Sequence, residues 1–266
     1  EEGHSVTSVD LLKYDKGSLN HLYHNKNFKL ICDDIRKVNL MKKLIKKHDI
    51  IIPLAALVGA PLCEKFKKDA ISTNLGSIKT LCKYATKKNR VIYLTTNSGY
   101  GIGEKNKYCD ENSPLKPISL YGKTKCDGED LVRSKIKNHV CFRLATVFGA
   151  SPRMRTDLLV NDFTYRALTD GVLVLFQSHF KRNYIHIRDV SRAIVMALDN
   201  QDNFSGETFN LGLSDANLSK MIKLKEVFSD VPVGYSDHTE GIEVALAAVS
   251  LGAKTVSYTH LTLPTK

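Results

Sequence analysis

The chain has 266 residues, 42% of them hydrophobic and 25% charged, with a formal net charge of +11. That length holds one large domain or two small ones, and the composition excludes disordered and fibrous classes. No run approaches the ~20 consecutive apolar residues of a membrane span, and Glu1-Glu2-Gly3-His4 lacks the basic and apolar regions of a signal peptide.

In chain order, "SVTSVD" (5–10) reads as a strand, as do "FKLICDD" (28–34), "DIIIPLAA" (49–56), "RVIYLTT" (90–96) and "HVCFRLATVFG" (139–149). Helical patterns fill 39–48, about 64–88, and 121–137. Continuously apolar strands separated by helices imply a parallel sheet covered on both faces. The fold class is therefore α/β, a doubly wound sheet whose ligands bind at the carboxyl ends of the strands.

This frame assigns "TTNSGYGIG" (95–103). A dinucleotide loop needs G-x-G-x-x-G between the first strand and a helix. Here the spacing is G-x-G-x-G, and loop-like sequence with two prolines follows. The glycines are expected to let the backbone turn sharply at a strand end beneath a bound cofactor.

The 29 lysines among 39 basic residues are spread along helices, as at Lys42-Lys43 and Lys46-Lys47, with little aromatic interleaving. That is the pattern of solvated helix faces; a nucleic-acid surface favours arginine and a localised stripe. A basic field still attracts a diphosphate. The six cysteines contain no C-x-x-C pair, which fits reduced thiols and a cytoplasmic location.

Downstream, "SLYGKTKCDGEDLV" (119–132) places Tyr121 and Lys125 four residues apart, on one helix face. A nearby ammonium stabilises a phenolate, which can then take a proton from a substrate hydroxyl. A hydroxyl at an adjacent strand end, Thr96, can bind the same substrate oxygen. Spacing alone is weak, since Tyr84 and Lys88 match it too. Tyr84 precedes the strand carrying Thr96, near the end of a crossover helix, and so belongs away from the strand carboxyl ends. Tyr121 follows the strand-end loop and starts a helix.

These residues, with Asp10, "DDI" (33–35), "PLAALVG" (53–59), "NLGSIKTL" (74–81), "RLATVFG" (143–149) and "RNYIHIRDV" (182–190), resemble the extended short-chain dehydrogenase/reductases. The similarity is to the NAD-dependent epimerase/dehydratase branch, which acts on nucleotide sugars, and it covers roughly residues 1–220. The resemblance implies a Rossmann-like NAD site in which Asp10 holds the adenosine ribose hydroxyls and Asp34 and Ile35 flank the adenine. By the same resemblance Leu54, Ala55 and Ala56 would line the cofactor, with Asn74 beneath it and Tyr121 and Lys125 also reaching it; Thr96, Tyr121 and Lys125 would be catalytic, and Asn97, Ser98, Asn161 and Arg182 would face the substrate. His186, inside an apolar run, is expected to be packed.

Two departures from the family pattern stand out. Thr146 occupies the position where many members have Asn in an R-x-x-N-V-Y-G segment. The opening resembles the end of a first helix and a second strand, so the first strand and its glycine-rich loop are expected to be missing. The sequence therefore reads as an inactive fragment. After Thr96, sugar 4,6-dehydratases carry Asp-Glu; this chain has Asn97-Ser98, and neither supplies a carboxyl group. The leading reading is therefore C4 epimerisation of a UDP-type sugar for cell-surface polysaccharide, by transient oxidation and re-reduction. Another oxidoreductase or dehydratase of the same family, or a basic anion- or RNA-binding module, is the alternative.

The expected division is an NAD-binding domain over 1–160, a partial substrate region over 161–220, a foreign piece over 221–256 and a non-native tail over 257–266. The piece 221–256 resembles part of the N-acetylneuraminate synthase family, and "SYTHLTLPTK" resembles translated adapter sequence. Together these suggest a chimera. His238 resembles a metal ligand of that second family, but one His makes no metal site, and none is expected. The expected partners are a nucleotide-sugar substrate and, in the intact enzyme, a second copy in a homodimer, with no nucleic acid and no membrane.

Overall fold

A computed structural model describes residues 3–102, 109–171, 173–176, 183–212, 233–237 and 256–258. The chain forms two compact units, 1–145 with 188–211, and 146–187 with 212–266.

The first unit is Rossmann-like. Strand β1 (Val6–Asp10) pairs in parallel with β2 (Phe28–Cys32), Val6 opposite Phe28 and Asp10 opposite Cys32. A separate parallel sheet has the order β3 (Ile50–Ile51), β4 (Arg90–Thr96), β5 (His139–Leu144), β9 (Glu207–Leu211). Among the described residues, β1 and β3 are each paired on one side only.

Helices cover both faces of the four-stranded sheet, and the two-residue period of a strand sorts the side chains between them. Val91 and Tyr93 of β4 and Cys141 of β5 pack with Ile45, Ile78, Leu81, Val132 and Ile136. These come from α1 (Val38–Lys47), α4 (Ser77–Tyr84), α5 (Leu120–Lys135) and the residue after α5. Ile92, Val140 and Phe142 face the other way, onto Ala197 of α7 (Ile187–Asp199) and Phe204 of α8 (Gln201–Phe204). Arg90, at the amino end of β4, is 2% exposed, and its three guanidinium nitrogens have no hydrogen-bond partner among the described residues.

Three sequence-predicted elements are interrupted. The strand expected over 49–56 pairs only at Ile50 and Ile51. Pro53 has no N–H to continue a ladder, and the chain from Leu54 on is freed to line a cavity. The helix expected over 64–88 comes as α2 (Ala60–Lys65), α3 (Lys67–Ala70), a π-helical turn (Ile71–Gly76) and α4. It breaks at Phe66, whose backbone is non-helical (φ −123°, ψ 57°), and ends at Tyr84. The run 139–149 divides at Ala145, whose N–H donates to the Leu211 carbonyl.

In the second unit, β6 (Thr146–Phe148) pairs in parallel with β8 (Tyr184–His186), and β7 (Leu173–Phe176) with β10 (Val233–Asp237), which pairs in turn with β11 (Val256–Tyr258). Helix α6 (Leu159–Thr169) completes its described elements.

Candidate active site

Thr96 ends β4 in extended backbone and caps the 3-10 turn Asn97–Tyr100, its Oγ1 accepting the Ser98 N–H at 3.2 Å. The turn leaves through Gly101 at φ +72°, where a Cβ would run into the Lys116 carbonyl oxygen. Only glycine combines that conformation with that approach. The loop is thus a sharp strand-end turn, as its spacing indicates; Gly103 lies outside the described residues. Helix α5 packs against the turn. It is capped by Ser119, whose Oγ accepts the Gly122 N–H at 3.1 Å.

Tyr121 and Lys125 occupy the first two turns of α5, one turn apart. Tyr121 is half-buried, Thr96 is 8% exposed and Lys125 6%. Burial pulls the Lys125 ammonium down to about 8. Its Nζ lies 4.4 Å from the centroid of the Tyr93 ring, and the Tyr93 hydroxyl donates to the Lys125 carbonyl at 3.3 Å. The rival pair does not share a helix: α4 ends at Tyr84, and Ala85 turns to extended backbone before Lys88.

Behind the turn lies a closed polar network. Glu129 of α5 and Arg143 of β5, both almost fully buried, are joined at 2.6 Å. Arg143 also donates to the Tyr100 hydroxyl at 2.9 Å and to the Glu111 carbonyl at 2.9 Å. The Tyr100 hydroxyl donates to Asn210 Oδ1 at 2.6 Å, and the Asn210 N–H to Glu111 Oε1 at 2.6 Å. Turn, helix and returning strand are thereby fixed to one another.

A cavity of about 280 Å³ opens at the carboxyl ends of β1 and β2, and Asp10, Asp34, Ile35, Leu54, Ala55 and Ala56 all line it. Asp10 Oδ1 accepts the N–H of Leu12, which sits at φ +47°. Asp34 is bonded by Arg36 at 2.6 Å, which holds its carboxyl below the usual range. Arg36 also reaches Asp69 at 2.8 Å. Asn74, in the π-helical turn, is buried and bonds both backbone groups of Leu57, accepting from its N–H at 2.8 Å and donating to its carbonyl at 2.9 Å. It further donates to Thr124 of α5 at 3.4 Å. Its amide therefore fastens the cavity-lining segment to the helix of Tyr121 and Lys125.

Asn97 is half-buried and Ser98 exposed, both on the turn. Asn161, in the second unit, is buried and accepts from the Gly149 N–H at 3.1 Å while donating to the Arg155 carbonyl at 3.0 Å. His186 packs edge-on against Phe148, ring centroids 5.3 Å apart. Arg182 and His238 lie outside the described residues. Among the described residues no three His, Cys, Asp or Glu side chains gather as a metal site, and no helix is long and apolar enough to cross a membrane.

Sequence reading missed Arg36, Asp69 and Tyr93. Arg36 directly follows the "DDI" it anchors. Tyr93 had only the alternation of its strand to mark it, and nothing local ties Asp69 to Arg36.

The family described as "NAD dependent epimerase/dehydratase family" matches residues 1–212, and the NeuB family matches 207–266. The second match starts ahead of the expected residue 221 and runs on through 257–266. The low-salt glycan biosynthesis protein Agl12 of Haloferax volcanii is 27% identical over 90% of this chain and 78% of its own. UDP-glucuronate 4-epimerase 4 of Arabidopsis thaliana is 25% identical over 73% of this chain, which spans about half (49%) of that relative. The crystal structure of UDP-glucuronic acid 4-epimerase from Bacillus cereus, in complex with UDP-glucuronic acid and NAD, superposes with a TM-score of 0.74 at 27% identity, covering 87% of this chain and 77% of that one. A parallel α/β unit and a family match over residues 1–212 together show that the chain belongs to the NAD-dependent epimerase/dehydratase family.

Proposed function

We propose that the intact enzyme to which this chain belongs epimerises a nucleotide sugar at C4, with a UDP sugar as the substrate class, and that the chain as given is an inactive piece of it. The observation that carries this reading is the joint placement of Thr96 at the end of β4 and of Tyr121 and Lys125 in the first two turns of the adjoining α5. The epimerase relatives and the glycan-biosynthesis relative support the substrate class.

The cavity suits the adenosine half of NAD. Ile35 and Leu54–Ala56 offer apolar surface to a base, and Asp10 offers a carboxylate to ribose hydroxyls. A 2′-phosphate would meet that carboxylate, while Arg36 is already committed to Asp34 and Asp69. When bound, NAD supplies the acceptor and donor of hydride. The chain's own residues handle the proton. Tyr121 takes it from the C4 hydroxyl and returns it, Lys125 favours the phenolate by its positive charge, and Thr96 orients the substrate oxygen. Asn97 and Ser98 carry no carboxyl group, so the proton donor and base that dehydration needs are absent from the turn. All six cysteines are free, in keeping with a reducing, cytoplasmic setting. The test is NMR of UDP-sugar mixtures with NAD and a version of the chain supplied with the expected first strand and glycine-rich loop: appearance of the C4 epimer, lost in Tyr121→Phe, supports the reading, and a 4-keto-6-deoxy product refutes it.

We also infer that the NeuB-like segment is foreign to the enzyme, because two family matches adjoin near residue 210. Source DNA amplified across codons 210–230 should fail to give one continuous frame; a continuous frame would make the fusion real.

A further inference from the structure

Lys125 keeps a cationic side chain where water scarcely reaches, and among the described residues no carboxylate pairs with it. The titratable groups acting on it include Cys141 of β5 and, from its own helix, Glu129 and Cys126, and Tyr121, one turn earlier on that helix, acts on the Tyr93 hydroxyl beside it. Burial pushes the two thiols up, Cys126 to about 11 and Cys141 to about 12, so both are neutral. Glu129 is held by Arg143. What lies against the ammonium is the ring of Tyr93, wholly buried on β4, 4.4 Å from Nζ to centroid. The same tyrosine bonds the Lys125 carbonyl. Residue 128, one turn further along α5, is glycine, and any Cβ there would collide with the Tyr93 hydroxyl. The helix thus yields a side chain at one position so that this ring can lie beneath it.

We propose that Tyr93 is the positioning residue for Lys125. Its ring face seats the ammonium in place of a counter-ion and its hydroxyl fixes the backbone of the same residue. The proposal rests on the reading of Lys125 as the cation that serves Tyr121. A desolvated cation over an aromatic face is held by the ring quadrupole, and the seat keeps the lysine both charged and aimed.

The test uses the full chain labelled with [6-13C]lysine, following the Lys125 resonance against pH and identifying it by its loss in Lys125→Arg. Tyr93→Phe, which keeps the ring, should leave the midpoint within about 0.3 pH units, whereas Tyr93→Leu should lower it by about 0.4 to 1.5 units. An unmoved midpoint in Tyr93→Leu, or equal shifts in both variants, overturns the proposal. Should Tyr93→Leu fail to fold, phenylalanine at position 93 bearing none to three fluorines preserves the shape while draining the ring face. The midpoint should fall stepwise with fluorination, and a flat series overturns the seat. The titration needs no turnover. A falling midpoint beside full activity in Tyr121→Phe would keep the seat and remove only the acid–base assignment.

Discussion

The two sheets of the first unit differ in how they carry function. In the four-stranded sheet, six of the seven residues of β4 are buried, and Thr96 at its end is held by the turn it caps, while the Arg90 guanidinium and the Thr95 hydroxyl have no hydrogen-bond partner among the described residues. In the two-stranded sheet, β1 and β2 have no fully buried residue, and the cavity beside them is bounded by exposed ion pairs such as Arg36–Asp69. Proton chemistry needs fixed geometry and low water content, and the residues proposed for it sit on or against the buried sheet. Holding a flexible ligand by its ribose and base tolerates a half-exposed rim. Substitutions in the first region should therefore be costly and those in the second mild.

The largest contrast concerns rate. Tyr121→Phe should lower turnover by ~10²–10⁴, the usual range for a general acid–base group, while Tyr84→Phe at the end of α4 should leave it unchanged. Steady-state kinetics checks both, and equal losses would dissolve the distinction between the two tyrosine–lysine pairs. Next comes stability. Glu129→Ala strands Arg143 in the interior and should cost about 3–5 kcal/mol in denaturant unfolding. A cost below ~1 kcal/mol would mean the buried network is not fixing the site.

The pH dependence has two opposed parts. Lys125 has its proton affinity lowered by burial, to about 8 from 10.5. Between those values the unfolded chain holds the proton and the folded chain does not, so stability rises with pH across that window. The ammonium that serves Tyr121 is lost over the same rise. Turnover should therefore fall as pH climbs through about 8, while the parent gains stability relative to Lys125→Met between pH 8 and 10.5. Rate profiles and melting curves moving in the same direction would contradict this. The smallest effect belongs to the rim: Asp69→Asn should change stability by less than ~1 kcal/mol, as exposed ion pairs do. A larger loss in thermal unfolding would show that the rim is as rigid as the buried sheet.

The contrast also explains what the sequence discloses. Strand β4 follows from an apolar run because burial selects such runs directly, whereas the half-exposed β1 and β2 are marked by their β-rich composition. The early end of β3 was available in Pro53, but the apolar "IIIPLAA" outweighed it. The break at Phe66 has no breaker residue to announce it, and the π-helical turn carries only Gly76, at its end; tertiary packing sets both. At the site, Tyr121 and Lys125 are legible because one helix face carries both and position along the fold singles them out from Tyr84 and Lys88. Tyr93 is not, since its relation to Lys125 spans 32 residues and exists only when β4 lies under α5. Arg36 and Asp69 are hidden in the same way, 33 residues apart.

Arg90 carries a consequence for how much change the molecule can absorb. Its guanidinium is sealed at the amino end of β4, with Asp202 acting on it only from a distance and burial weakening its hold on its proton. Thr96 lies six residues further along the strand, ~20 Å away at the usual rise. The fold thus tolerates a standing defect far from its chemistry. A buried charge with no hydrogen-bond partner among the described residues is costly to keep, so Arg90→Met should melt higher than the parent with unchanged turnover. That margin, unused in the present sequence, is a reserve on which riskier substitutions in the turn or the cavity could be accepted without loss of the fold; a lower melting point in Arg90→Met would show that the reserve does not exist.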